Sequence, residues 1–278
     1  MKASQTCYAC LQRLAHQAAE LATDNEQLRC SALERGLSVL QNNFSCDAVS
    51  IVVATKMHDA IKETTGSYDP YRAMKDTEIA VARELFARIE LEYDGFRSCL
   101  KLAALGNAID FFRAIEAVED DLKRNVDFAI DDSMRFEDKL KSAKKVLYLG
   151  DNAGEVFFDV PVIRYMRQFA EITYVVKAAA VQNDVTLNDV RKAGLEQELG
   201  DIITTGTATP GIDFALASAE FKYEFATADL VFAKGMGYYE SLSEFPAEGR
   251  VLHCLKAKCQ PVADSLGVPL NSYVALLR

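Results

Sequence analysis

The sequence predicts an α/β protein in which a helical N-terminal portion packs on a doubly wound, mostly parallel, Rossmann-like sheet. Two observations predict this fold. Apolar residues recur at helical spacing through the first half of the chain, and after about Lys144 short apolar runs alternate with helical stretches. Strands alternating with helices indicate βαβ units and hence a parallel sheet. We therefore predict a helical domain at residues 1–140 and an α/β domain at residues 141–278.

The helical portion is predicted from two periodic segments. One carries Leu11, Leu14, Ala18 and Leu21, and the other carries Ile79, Ala82, Leu85, Phe86 and Ile89. Acidic and basic residues occupy the opposite faces, as expected for amphipathic helices. Glycine-containing breaks near Gly66 and Gly106 separate the helical stretches.

The α/β portion is predicted from short apolar runs with strand character. They lie at residues 145–150, 172–177, 202–205, 229–233, 251–255 and 273–277. In an open parallel sheet, ligands bind beyond the carboxyl ends of the strands. The residues that follow each strand are therefore where a functional site is expected.

Composition restricts the classes of function. The chain has 278 residues and a net charge of −10, which disfavours nucleic-acid binding because such binding needs a basic surface. No apolar run approaches the roughly 18 residues of a membrane span, and the N-terminus lacks the apolar core of a signal peptide. We predict a cytoplasmic protein that binds neither membranes nor nucleic acids, with its oligomeric state left open.

The strongest local motif follows the first strand of the α/β portion, at Asp151-Asn152-Ala153-Gly154-Glu155. Two adjacent oxygen-bearing side chains at a strand end are typical of a site for a hard cation. Backbone N–H groups near Gly154 can also receive phosphate oxygens. The alternative is a simple helix N-cap, where Asp and Asn are favoured in any case.

Further polar residues follow later strands. Asp184, within Asn183-Asp184-Val185-Thr186, is a candidate second carboxylate ligand, although the same segment also suits a capped surface helix. Lysines at strand ends are candidate phosphate contacts, although surface lysines are more often merely solvated. The lysines are Lys177, Lys234, Lys256 and Lys258, and Glu240 follows the glycines after Lys234.

Seven cysteines are present, and an odd number without a secretion signal argues against a disulfide scaffold. Cys7 and Cys10 have a Cys-x-x-Cys spacing that suits a metal site or a redox pair. Together with Cys254 and Cys259 they could form a structural four-thiolate zinc site. Unligated cysteines are the alternative.

Several motifs occur together in one order along most of the chain. They are Cys7-Tyr8-Ala9-Cys10-Leu11, Asp69-Pro70-Tyr71 with Lys75, Gly106-Asn107-Ala108-Ile109-Asp110-Phe111, the Asp151 and Asn183 segments, Lys234-Gly235-Met236-Gly237, and Lys256-Ala257-Lys258-Cys259. In this combination the chain resembles the damage-control phosphatase family, in particular its prokaryotic branch with N-terminal cysteines. Met236 and Tyr238 depart from the polar residues common in that glycine segment, which suggests a different substrate.

The resemblance implies a divalent-metal-dependent phosphomonoester hydrolase that acts on a small phosphorylated metabolite, such as a sugar phosphate or another damaged or surplus compound. It implies that Asp151, Asn152 and Asp184 hold Mg²⁺, Mn²⁺, Co²⁺ or Ni²⁺, and that Lys258 contacts the phosphate. It also brings Asn107 and Asp110 to the substrate side of the site. The nucleophile is either a metal-activated water or a carboxylate that forms an aspartyl-phosphate.

Two other functions are considered. One is a nucleotide- or cofactor-dependent transferase, which would need a more glycine-rich turn than residues 150–154 provide. The other is a non-enzymatic metal-binding protein centred on the cysteines.

Overall fold

The computed structural model describes residues 1–88, 95–107, 109, 126–246 and 248–278. Its N-terminal portion is helical, as predicted. The helices are α1 Gln5–Ala22, α2 Glu26–Asn43, α3 Ser50–Thr65, α4 Arg72–Arg88 and α5 Phe96–Gly106. The Asn25 side chain accepts a hydrogen bond from the backbone N–H of Leu28 and so caps α2, while α3 ends at Gly66 in the left-handed conformation.

The helices divide between two hydrophobic cores. Helices α1 to α3 bury side chains such as Leu11, Val53 and Met57 against one another. Helices α4 and α5 instead contribute Ile79, Leu100 and other apolar side chains to the core beneath the sheet. The helical portion is therefore attached to the sheet through α4 and α5.

The described strands form a seven-stranded sheet in the order β1-β7-β6-β5-β2-β3-β4. They are β1 Phe128–Asp131, β2 Lys145–Leu149, β3 Glu171–Val176, β4 Asp201–Thr204, β5 Leu230–Lys234, β6 Val251–Lys256 and β7 Tyr273–Leu277. All adjacent pairs are parallel except β6 and β7. The predicted α/β class with a mostly parallel sheet is confirmed.

Helices separate the strands along the chain. They are α6 Ser133–Leu140, α7 Val156–Met166, α8 Leu187–Ala193, α9 Glu196–Leu199, α10 Ala219–Thr227, α11 Gly235–Leu242 and α12 Gln260–Leu266, with a 3₁₀ turn at Ala153–Glu155 before α7. The chain runs from β2 outward to β3 and β4 and then returns to β5 on the other side of β2. The strand order therefore reverses between β2 and β5, where ligands bind in such sheets.

One strand lies outside the predicted α/β portion. β1 pairs in parallel with β7 at the sheet edge, so the sheet includes residues that precede the predicted boundary at 140/141. β1 has only four residues and exposes alternate side chains, so it lacks the continuous apolar run by which the other strands were predicted. No helix in the described ranges is long and apolar enough to cross a membrane.

Candidate active site at the switch point of the sheet

Main-chain hydrogen bonds bring the predicted oxygen ligands together. Asp151 and Asn152 directly follow the end of β2, and an antiparallel bridge pairs Asn152 with Asp184. The backbone N–H of Val185 donates to the carbonyl oxygen of Asp151 at 2.8 Å. Two segments about thirty residues apart in sequence are thus held side by side by the backbone.

Carboxamides surround the Asp151 carboxylate. The Nδ2 of Asn107, at the end of α5, donates to Asp151 Oδ2 and to Glu155 Oε1, each at 2.8 Å. The Nδ2 of Asn152 donates to the same Asp151 oxygen at 3.2 Å and also to Glu155. Because only the amide nitrogen can donate to a carboxylate, the Oδ1 of Asn152 is left to accept from another group or to bind a cation.

The two aspartates are held in an environment that disfavours their charge. Burial raises the pKa of Asp151 well above its usual range, and the nearby carboxylates of Glu155 and Asp184 raise it further. Burial likewise raises the pKa of Asp184 to about 6, against the opposing effect of the Lys177 ammonium. A cation placed between these oxygens would offset both the burial and the mutual repulsion.

The donor set fits a hard divalent cation. It consists of two carboxylates and a carboxamide, which are ligands that Mg²⁺ and Mn²⁺ accept. Asp184 Oδ2 is buried 3.4 Å from Lys177 Nζ without a hydrogen bond of acceptable geometry. Nowhere in the described ranges do three or more His, Cys, Asp or Glu side chains form a group that could hold a metal, so the carboxamide of Asn152 is needed to complete this set.

The glycine after β5 makes room for Asp151. Gly235 has a φ of +76°, and a Cβ built on it would lie 2.0 Å from Asp151 Oδ2. Any side chain at this position would therefore collide with the carboxylate. The close neighbour that requires glycine at this position is a side chain of the site.

Lys234 does not face the cavity, contrary to its prediction as a substrate contact. Its ammonium is fully buried and donates to the carbonyl of Ala103 and to Asp159 Oδ1, both at 2.7 Å. It also forms an ion pair with Glu155 Oε2 at 2.9 Å. The ammonium thus makes two hydrogen bonds and one further ion pair, all within the protein. The prediction that Lys234 contacts the substrate is therefore corrected. Lys234 is a buried residue that holds the carboxylates of Glu155 and Asp159 in place.

Lys177 is also fully buried. It contacts Asp184, donates to the carbonyl of Gly211 and lies 4.0 Å above the ring centroid of Tyr238. Its contact with Asp184 places it beside the predicted metal ligands, within the protein interior.

Lys258 is the exposed lysine of the site. It lines the cavity together with Asp151 and Asp184, and its backbone N–H donates to Met236 Sδ at 3.3 Å. Its positive charge lowers the pKa of Asp151 in opposition to burial. The ammonium of Lys256 lies 5.2 Å above the ring centroid of Tyr273.

A cavity of about 560 Å³ opens over the strand ends. The carboxyl-end residues form one side of it, and residues of α1 and α3 form the other. Glu240, a predicted substrate contact, lines the cavity, and its carboxylate accepts a hydrogen bond from Ser50 Oγ. Gly154 and Glu155 lie in the buried 3₁₀ turn that follows Asn152.

The four predicted cysteines do not meet in one place. Cys7, Cys10 and Cys259 line the cavity. Cys254 is buried within β6, where burial raises the pKa of its thiol and the nearby charges are those of Lys234, Asp159 and Glu155. The prediction of a four-thiolate zinc site is therefore wrong, because Cys254 is buried within β6 and does not line the cavity with the other three cysteines. Asp110 lies outside the described residues.

Two buried charges on α4 escaped the sequence-based prediction of the site. Glu78 accepts a hydrogen bond from Asn183 Nδ2 at 3.2 Å, and burial raises the pKa of Glu78 to about 7. Lys75 is fully buried and forms an ion pair with Asp189 Oδ2 at 3.2 Å. Both follow the same helical spacing as the buried Ile79, so their position on an apolar face was a usable signal.

Comparisons with known proteins agree with this architecture. Residues 3–274 match a family model described as the damage-control phosphatase ARMT1-like domain. A damage-control phosphatase of Pyrococcus horikoshii is 32% identical, with 99% of this chain and 98% of the relative covered. A damage-control phosphatase of Archaeoglobus fulgidus is 30% identical, with 99% of each covered. An uncharacterized protein of Methanocaldococcus jannaschii is 32% identical, with 100% of this chain and 96% of the relative covered.

The fold has a solved counterpart. The crystal structure of a DUF89 family protein from P. horikoshii superposes with a TM-score of 0.92 at 33% identity, covering 100% of this chain and 99% of that one.

Proposed function

The chain belongs to the damage-control phosphatase ARMT1-like family, and on that premise we propose that it is a divalent-metal-dependent phosphatase of small phosphorylated metabolites. The observation that carries the proposal is the convergence of Asp151, Asn152 and Asp184 at the reversal of strand order, beside the exposed Lys258. This combination of oxygen ligands and a cation suits a phosphate ester and is not needed by a cofactor-dependent transferase or a thiol-centred binding protein.

In the proposed site, one set of side chains would bind the cation and Lys258 would bind the phosphate. Asp151, Asn152 and Asp184 would hold the cation through their side-chain oxygens. A bound divalent cation supplies charge neutralisation for phosphate oxygens in the transition state. Asn107 holds the Asp151 carboxylate in place by donating a hydrogen bond to Asp151 Oδ2, which also accepts a hydrogen bond from Asn152. It is a positioning residue in this proposal.

Lys258 meets the phosphate from the solvent side of the cavity. Its ammonium is flexible and exposed, so it can follow the phosphate oxygens as the ester binds and reacts. Lys177 and Lys234 are enclosed, and their role is to keep Asp184, Glu155 and the carboxylates around them in place. The water and aspartyl-phosphate routes are equally compatible with these positions.

The test is hydrolysis of a panel of phosphate esters, including a generic aryl phosphate, with Mg²⁺, Mn²⁺, Co²⁺ or Ni²⁺ added singly to chelator-treated protein. Activity is expected to require a metal. Asp151→Asn is expected to lower kcat/KM by about 100-fold or more, because losing one charged ligand removes several kcal/mol of transition-state stabilisation.

Asp24→Asn is the matched control, since Asp24 is an exposed carboxylate in the loop between α1 and α2, away from the cavity. Wild-type activity in Asp151→Asn, or full activity in the presence of excess chelator, would contradict the proposal.

A further inference from the structure

The cavity has two chemically different ends. The end at the sheet carries the carboxylates, the carboxamides and Lys258. The opposite end carries apolar side chains from α1 and α3 of the helical portion, from the first turn of α11 and from the segment that follows α12. These are Leu11, Leu14, Ile51, Ala54, Met236 and Leu270. A phosphate group at the sheet end would therefore direct the rest of its ester toward an apolar wall.

Several polar side chains on that wall make hydrogen bonds within the protein. Ser50 Oγ donates to Glu240, and Gln182 Nε2 lies 3.3 Å from His58 Nε2. Gln260 Nε2 donates to Asp264 Oδ1 at 2.6 Å. A leaving group rich in hydroxyls would compete with these bonds for its own partners, whereas an apolar group would leave them intact.

Thr6 is hydrogen-bonded in the same way, whereas Arg13 and the thiols of Cys10 and Cys259 also line the cavity. The Thr6 hydroxyl is 2.8 Å from that of Ser4. Arg13 is exposed at the rim, where its charge can attract an anionic ester without contacting the body of the leaving group.

Met236 connects the two ends of the cavity. Its sulfur accepts the backbone N–H of Lys258 at 3.3 Å, and its side chain is packed beside the apolar cluster that includes Leu255 and Val262. A thioether is flexible and polarizable, so it adapts to apolar groups of different shape. Leu270 continues this surface at the rim, where it is 46% exposed.

From these observations we propose that the preferred substrate is a phosphomonoester whose leaving group is an apolar alkyl or aryl alcohol, and not a polyhydroxylated sugar. This inference rests on the proposed phosphatase function. A volume of about 560 Å³ accommodates such a group, since ligand pockets of roughly 300–1,000 Å³ hold molecules much larger than phosphate.

The experiment compares two series of matched length with the metal-loaded full chain. One series is n-alkyl phosphates from propyl to hexyl, whose leaving-group alcohols have nearly equal acidity. The other is the terminal phosphates of polyols with the same numbers of carbons. We expect kcat/KM to rise by up to about fourfold per methylene in the alkyl series, which corresponds to burying one CH₂, and to stay flat in the polyol series.

Variants locate the effect on the apolar wall. Met236→Gln and Leu270→Gln are each expected to reduce the dependence on alkyl length, and the exposure of Leu270 keeps the second variant folded if the first is unstable. Leu216→Gln is the control, because Leu216 is 63% exposed and lies outside the cavity. It should leave the alkyl dependence unchanged.

The outcomes separate the two proposals. Hydrolysis of all esters with no dependence on alkyl length, or with polyol phosphates preferred, overturns the apolar leaving group and leaves the phosphatase function standing. Unchanged alkyl dependence in both Met236→Gln and Leu270→Gln also overturns it. Absence of hydrolysis with every ester and metal overturns both.

Discussion

Replacing Lys234 by methionine is expected to destabilise the protein strongly, whereas the same change at Lys258 is expected to impair activity with little effect on stability. The Lys234 ammonium is buried 2.7 Å from Asp159 and 2.9 Å from Glu155. Its removal leaves two buried carboxylates facing each other without a cation. Removing one partner from a buried ion pair costs about 3–5 kcal/mol.

The size of the effect on melting follows from the size of the protein. At about 2–4 °C per kcal/mol for large domains, Lys234→Met should lower Tm by about 10 °C. Thermal or urea unfolding at pH 8 measures this. Lys258→Met removes an exposed ammonium, and such surface changes stay within about 0.5 kcal/mol.

The pair of variants tests the assignment of both lysines at once. Lys258→Met should retain the wild-type Tm and lose at least about tenfold in kcat/KM, the equivalent of one ionic contact to the phosphate. A Lys234→Met protein as stable as the wild type would refute the argument from buried charge. Full activity in Lys258→Met would remove that lysine from the site.

Three further predictions use other features of the site. Gly235→Ala should abolish metal binding measured by calorimetry, because the added Cβ would displace the Asp151 carboxylate. Gly267 has a similar positive φ but no atom near a built Cβ, so Gly267→Ala should bind metal normally. Equal metal binding by the two variants would contradict the contact between residue 235 and Asp151. The pKa of Glu78 is about 7 in the folded protein and 4.5 ordinarily, so the contribution of Glu78 to stability should fall by about 3 kcal/mol as pH rises through that window. Asp151 and Asp184 lose stability in the same direction, so the free energy of unfolding of metal-free wild type and Glu78→Gln should differ by about 3 kcal/mol more at pH 4.5 than at pH 7, and a difference that does not change with pH would contradict the raised pKa of Glu78. Burial lowers the pKa of His58 from 6.5 to about 4, so the contribution of His58 to stability should fall by about 3 kcal/mol as pH falls through that range. The buried His253 loses stability in the same direction, so urea titrations should show an acid loss about 3 kcal/mol smaller in His58→Gln than in wild type, and equal losses in the two proteins would contradict the assignment to His58.

Strand ends were predictable because they depend on local patterns. Asp151 follows a buried apolar strand, and the rule that ligands bind beyond the carboxyl ends of parallel strands pointed to it; the structure places that strand, β2, where the strand order reverses. Asp184 was predicted as a neighbour by resemblance. The backbone bridge that pairs it with Asn152 depends on tertiary structure and has no sequence signal of its own.

The direction of side chains was not predictable in the same way. Lys234 and Lys258 both follow strands, yet one points into the core and the other into solvent. The difference arises from Asp159 and Glu155, which lie many residues away in sequence and neutralise only the first. Glu78 was missed for a related reason, since its contact with Asn183 joins α4 to a loop more than a hundred residues later.

The bridge between Asn152 and Asp184 also bears on how such a site can change over time. The spacing of these positions is set by main-chain hydrogen bonds, which any residue other than proline can make. Substituting a donor atom, for example Asn152→Asp, would alter the charge presented to a cation while the framework that holds it stays the same. In the proposed metal site, single substitutions would therefore change the preferred metal without remodelling the fold, so that the scaffold and the chemistry would evolve separately.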